Sequence, residues 1–258
     1  MSQLRFQYVY GPVPSWRVGS SLGIDLLSQK EKICSYDCVY CQLGRTGNLT
    51  VERQIYVPGE KILKEIESLP DISIDYITFS GKGEPTLAEN LGSLIKAVRT
   101  IRKEQIAVIT NSSLIDRQDV QHELSHADFI IAKLDTSSRE SFIKVNRPSQ
   151  EIKFDAIIAG LKEFRKHFTG KLALQVMFIQ ENVGDAEAIA GIARDIYPDE
   201  VQINTPLRPC GVIPLGEGKL SEIKNHFKGL NTISVYESRK KDVKPISDRN
   251  TLKRRGKW

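Results

Sequence analysis

Three of the chain's four cysteines, Cys34, Cys38 and Cys41, fall within the eight residues CSYDCVYC, while Cys210 stands alone far downstream. A thiolate is a soft metal ligand and a nucleophile, so three in one short segment point to metal or redox chemistry. Their spacing would also align them on one face of a helix. However, Ser35, Tyr36, Asp37, Val39 and Tyr40 between them have no strong helical preference, and cysteine packs no better there than alanine or valine. A zinc ion would need a fourth protein ligand or an open position, which Cys210 or a histidine could complete. The triplet does not have the spacing of a familiar zinc ribbon or finger. An iron–sulfur cluster takes thiolates as its ordinary ligands, and three of them on a four-iron cube leave one iron open to a small molecule.

The segments that must position these thiols alternate regularly. Apolar runs at 74–80, 106–110, 128–135, 172–179 and 200–204 read as strands. Amphipathic stripes at 58–69, 90–101, 117–124, 151–168, 185–196 and 216–227 read as helices, the first with Ile62, Ile66 and Leu69 on one face. With SLGIDLL (21–27) ahead of the cysteines, the chain presents six strands with helices between them. Such βα alternation predicts parallel strands with right-handed crossovers. Six units are too few for a closed eight-stranded barrel, so the expected fold is α/β, a partial (βα)6 TIM-like barrel. A doubly wound sheet is the alternative. In either, the active site lies at the C-terminal ends of the strands, where the cysteine loop follows the first strand.

The 258 residues, 40% hydrophobic and 27% charged, have the composition of an ordinary globular domain. Four unevenly placed cysteines do not make a disulfide framework. The N-terminus lacks an apolar signal region and no run approaches a bilayer span, so a cytoplasmic protein without a membrane partner is expected. Residues 239–258 carry nine Lys/Arg against two Asp, whereas residues 1–238 hold 28 basic and 30 acidic side chains. We therefore expect one domain at 1–238 and a basic C-terminal extension at 239–258. That extension is either a solvated terminus or a site for nucleic-acid phosphates, with Trp258 available to stack on a base.

The C-x3-C-x2-C triplet, with Tyr40 just before its last cysteine, resembles the cluster motif of the radical S-adenosylmethionine (SAM) superfamily. The resemblance implies a [4Fe–4S] cluster on Cys34, Cys38 and Cys41, with SAM chelating the open iron. It further implies reductive cleavage of SAM to a 5′-deoxyadenosyl radical, which abstracts a substrate hydrogen, and an electron donor such as flavodoxin or ferredoxin. FSGKGEP (79–85) is similar to the family's GGE-type turn, which places Gly81, Gly83 and Glu84 against the SAM amino group, with Lys82 at the usual second glycine. TNSS (110–113) and KLDTSS (133–138) resemble further SAM-contacting turns and nominate Asn111, Lys133 and Asp135. Tyr40 is expected to shield the cluster and contact adenine. The resemblance extends over residues 10–230 and reaches the branch grouped with the wyosine-base (imidazoguanosine) synthases, which modify tRNA. A second cysteine triplet is missing, so a two-cluster wyosine synthase is not expected. The implied substrate is a tRNA base, with a protein, a peptide or a small molecule as alternatives. Outside that class stands a non-catalytic, metal-bearing RNA-binding module.

Overall fold

The computed structural model describes residues 6–238 and 241–255. Strands β1 (Val9–Ser15) and β2 (Gly19–Ile24) open the chain, followed by a two-residue pair, β3 (Ile33–Cys34) and β4 (Asn48–Leu49), that frames the cysteine loop. Then come α1 (Gly59–Glu67), β5 (Tyr76–Phe79), α2 (Leu91–Ile101), β6 (Gln105–Thr110), α3 (Gln118–Leu124), β7 (Phe129–Lys133), α4 (Arg139–Asn146) and α5 (Phe154–His167). The chain continues through β8 (Lys171–Met177), α6 (Ala186–Ile196), β9 (Glu200–Asn204), α7 (Glu217–Lys224), β10 (Thr232–Ser234) and α8 (Asp248–Arg255). The main sheet runs β1-β2-β5-β6-β7-β8-β9-β10, parallel throughout except for β1, and curls into a half-barrel. The expected partial barrel is the observed fold.

Alternation within each strand sets the two faces. Ile77, Phe79, Ile106, Val108, Ile130, Leu172, Leu174, Val201 and Ile203 pack with the helices in one core. The opposite face carries a smaller apolar group, Val18, Ala107, Phe129, Ile131 and Ala173, and the polar pair Ser21–Thr78, with Thr78 in register beside Ala107. Helix α1 buries Ile62 and Ile66, and α5 buries Phe154, Ile157, Leu161 and Phe164. Gly160 lets α5 approach the chain at Ile115–Asp116, since a Cβ there would lie 2.6 Å from the Asp116 nitrogen.

Besides the unexpected β3–β4 pair, α4 and β10, the observed elements depart from the expected ones at both ends of the chain. β2 ends at Ile24, short of residue 27, because Asp25 turns away to face Arg254 and Lys82. An edge strand, β1, precedes it although it contains Pro12 and Pro14, which an edge tolerates. The described part of the basic extension is docked rather than loose. α8 packs on β1, the Ile246 N–H donates to the Gly11 carbonyl, and Arg254 forms a buried ion pair with Asp25 at 2.9 Å. Trp258 lies outside the described residues. Among those residues no helix is long and apolar enough to cross a membrane.

Candidate functional site

The cysteine loop is held as a loop by α4. Asp37 N–H reaches the carbonyls of Asn146 and Arg147 at 3.1 and 3.0 Å, and Val39 N–H that of Val145 at 3.0 Å. Cys41 N–H closes a tight turn on the Cys38 carbonyl at 3.1 Å. These bonds exclude the helix-face arrangement. All four cysteines are free thiols and partly buried.

Each sulfur of the triplet meets a side-chain N–H donor, and each of these donors comes from a different segment. Asn111 Nδ2 lies 3.6 Å from Cys34 Sγ, Asn146 Nδ2 lies 3.6 Å from Cys38 Sγ, and Lys32 Nζ lies 3.2 Å from Cys41 Sγ. Burial pushes the Cys34 thiol up to about 12, with the Cys38 charge adding to it. Burial pushes Cys38 up to about 11, with Asp135 adding to that shift. Ionising these thiols therefore calls for a strong cationic partner. Among the described residues, no three His, Cys, Asp or Glu side chains gather as a single metal ion requires. Separated soft donors with polar N–H groups on their sulfurs fit a cubane, whose protein ligands sit at separate corners.

The GKGEP turn after β5 is pressed onto this loop. A Cβ on Gly83 would lie 1.6 Å from the Ile33 carbonyl oxygen, and one on Gly81, at φ +147°, 2.5 Å from Asp25 Cγ. Glu84 N–H donates to that same Ile33 carbonyl at 3.3 Å. The Glu84 side chain is 1% exposed, and its carboxylate is held by the chain itself. Oε1 accepts from Thr86 N, Thr86 Oγ1 and Thr110 Oγ1 at 3.1, 2.8 and 2.7 Å, and Oε2 accepts from Asn111 N at 2.6 Å. Glu84 thus clasps the GEP turn to the TN turn. Burial raises its carboxyl above the ordinary range, against the pull of those four donors.

On the far side of the loop, Tyr40 and Asp135 form one buried group. The Tyr40 hydroxyl donates to Asp135 Oδ2, and Asn146 Nδ2 reaches both that oxygen at 2.8 Å and the Tyr40 hydroxyl at 3.1 Å. Asp135 Oδ1 accepts from Met177 N at 2.8 Å and pairs with Lys133 Nζ at 3.2 Å. Lys133 also stands 4.9 Å from the centre of the Tyr40 ring. Burial raises the Tyr40 phenol well above its usual value, with Asp135 next in effect. Cys210 packs beside Cys38, Val39 and Tyr40, and Arg208 donates to Gln42 Oε1 at 2.9 Å, so the segment after β9 borders the same loop.

The structure therefore gathers Cys34, Cys38, Cys41, Tyr40, Gly81, Gly83, Glu84, Asn111, Lys133 and Asp135 around the C-terminal ends of β2, β5, β6 and β7. It uses Glu84 and the Asn111 amide within the scaffold rather than leaving them open to a ligand. Sequence reasoning missed Lys32 and Asn146. Lys32 carries no local signal, and Asn146 lies at the end of a polar helix that no motif marks.

A cysteine triplet on a loop over parallel strands of a half-barrel is the architecture of one protein class, and comparison agrees. The Radical SAM superfamily model matches residues 32–192, and the chain belongs to that superfamily. It is 41% identical over 205 residues to a UPF0026 protein of Synechocystis, covering 79% of this chain and 77% of that one. It is 35% identical over 257 residues to a protein named GTPase Obg from Brachyspira hyodysenteriae, covering 96% of this chain but 36% of that one. The solved structure of TYW1 with a lysine–pyruvate adduct bound superposes with TM-score 0.63, covering 81% of this chain and 74% of that one. At 14% identity this likeness shows the shared fold alone. UPF0026 proteins are among the relatives of substantial identity and the TYW1 likeness is not at that level, so membership of the wyosine branch is not established.

Proposed function

We propose that this protein is a radical SAM enzyme whose cluster is held by Cys34, Cys38 and Cys41. The observation that carries the reading is the set of three free thiols, each with its own N–H donor, beside a glycine turn pressed onto the same loop. When bound, the cluster and SAM would supply one-electron cleavage of the sulfonium and a carbon radical able to take hydrogen from a substrate. The chain's own part is positional. Gly81 and Gly83 bring backbone to the cluster edge, and Glu84 fixes the TN turn. Asp135 orients Tyr40 and Lys133 on the proposed SAM side, and Asn111 supports Cys34 from the TN turn. One electron per turnover comes from a donor of the flavodoxin or ferredoxin class.

For the substrate we favour a tRNA base. Arg249 and Lys253 of the docked basic helix are exposed, and Arg208, which borders the cysteine loop, donates to the Arg255 carbonyl at the end of that helix. Calorimetric titration of SAM into the anaerobically reconstituted protein should show saturable binding. Nucleoside mass spectrometry of tRNA from a strain lacking the gene should show a lost modification. An unchanged profile removes the tRNA substrate while leaving the SAM chemistry in place.

A further inference from the structure

The three donors on the cysteine sulfurs are not equivalent to ordinary scaffold contacts. Lys32 is 7% exposed, and its ammonium is fixed between Cys41 Sγ at 3.2 Å and the Gly44 carbonyl at 2.8 Å. Asn111 is locked from behind, because its backbone N–H binds Glu84 and its Nδ2 also reaches Ser35 Oγ at 2.8 Å. Asn146 is locked by Asp135 Oδ2 and the Tyr40 hydroxyl. No donor is free to swing away, and each sulfur of the triplet is reached by one of the three; the Tyr36 backbone adds a hydrogen bond at Cys34 and the Tyr40 side chain one at Cys38.

Resting on the reading above, we propose that Lys32, Asn111 and Asn146 are positioning residues that set the reduction potential of the cluster, Lys32 most strongly. Reduction moves one electron from an external donor onto a centre already ligated by three thiolates, so it adds a negative charge. Hydrogen bonds to the sulfurs stabilise the more negative state, and a buried cation does so without needing to reorient. Removing a donor therefore makes the cluster harder to reduce. A lysine that merely tied the loop to Gly44 would affect stability and leave the potential alone.

The test is a dithionite titration of the reconstituted protein, without substrate, with the reduced cluster followed by electron paramagnetic resonance. Lys32→Met should shift the reduction equilibrium about tenfold against the reduced form, which is about 59 mV more negative for one electron. Lys32→Gln keeps an N–H donor and loses the charge, so it should fall between Lys32→Met and the parent. Asn111→Ala and Asn146→Ala should shift in the same direction by less. Circular dichroism and iron and sulfide counts accompany each variant. If Lys32→Met does not fold, Lys32→Gln and Asn111→Ala decide the matter. Fully loaded variants with the parent's midpoint overturn the inference while the enzyme reading stands. A parent that assembles no cluster overturns both.

Discussion

Glu84→Gln separates two roles that the GKGEP turn allows, and its effect follows from the hydrogen bonds around one carboxylate. Both oxygens of Glu84 accept, and every partner is a donor: Thr86 N, Thr86 Oγ1 and Thr110 Oγ1 on one side, Asn111 N on the other. An amide can satisfy only one side. If its NH2 replaces Oε2, it meets the Asn111 N–H head-on. If it replaces Oε1, it meets the Thr86 N–H, which cannot reverse its direction as a hydroxyl can. Either way a buried backbone N–H loses its acceptor, at about 1–3 kcal/mol, and a hydrogen bond to a charged group worth about 1.5–3 kcal/mol goes with it. Allowing for partial relaxation, a net loss of about 2–5 kcal/mol is expected, which lowers Tm by roughly 4–10 °C in a chain of this size. The assay is thermal unfolding of the cluster-free protein, with no SAM present. If Glu84 served only as a ligand for the SAM ammonium, Glu84→Gln would leave that Tm unchanged and weaken SAM binding alone. That result would refute the clasp.

Three further outcomes follow from the same structure. Gly83→Ala drives a methyl group into the Ile33 carbonyl, 1.6 Å away, so the turn must separate from the cysteine strand. Poor cluster retention by iron count is expected even where circular dichroism shows a folded protein. Arg254→Met strands Asp25 in a site where both side chains are 2% exposed, which should cost about 3–5 kcal/mol by chemical denaturation. It should also release the C-terminal helix to proteolysis. Cluster insertion must strip protons from Cys34 and Cys38, whose thiols stand at about 12 and about 11. Insertion therefore strengthens as pH rises below those values, by about tenfold per proton per pH unit, and releases protons into a weak buffer. In the cluster-free protein the sign reverses. The raised thiols favour the folded state below the ordinary thiol value of 9.0, and that contribution disappears as pH rises through about 11 and about 12.

Much of this arrangement is legible in the residues because parallel strands buried on both faces are written as β-branched runs, as in IAVIT and DFIIAKLD. β9 begins and ends where its run does, and α1 buries Ile62 and Ile66 of its stripe although it stops at Glu67, short of Leu69. What could not be read depends on distant partners. β1 is broken up by Gly11, Pro12 and Pro14 and exists because β2 supplies its pairing. α4 begins at the Ser138–Ser141 capping box inside a polar stretch with a weak apolar stripe. α8 reads as a charged tail, since nothing local announces that Arg254 finds Asp25 across 229 positions. The site divides in the same way. The cysteines and glycines are marked by type and spacing, whereas Lys32 and Asn146 acquire meaning only when folding brings them to the sulfurs. Glu84 is marked by its motif, but the burial that turns it into a clasp is a tertiary fact.

The central claim is that Cys34, Cys38 and Cys41 hold a cluster that cleaves SAM. The direct measurement is 5′-deoxyadenosine formed by the anaerobically reconstituted protein with dithionite and SAM, quantified by mass spectrometry beside Cys38→Ala. The structure predicts formation by the parent and none by the variant. A fully loaded parent that forms none, or a variant that forms as much as the parent, would contradict it.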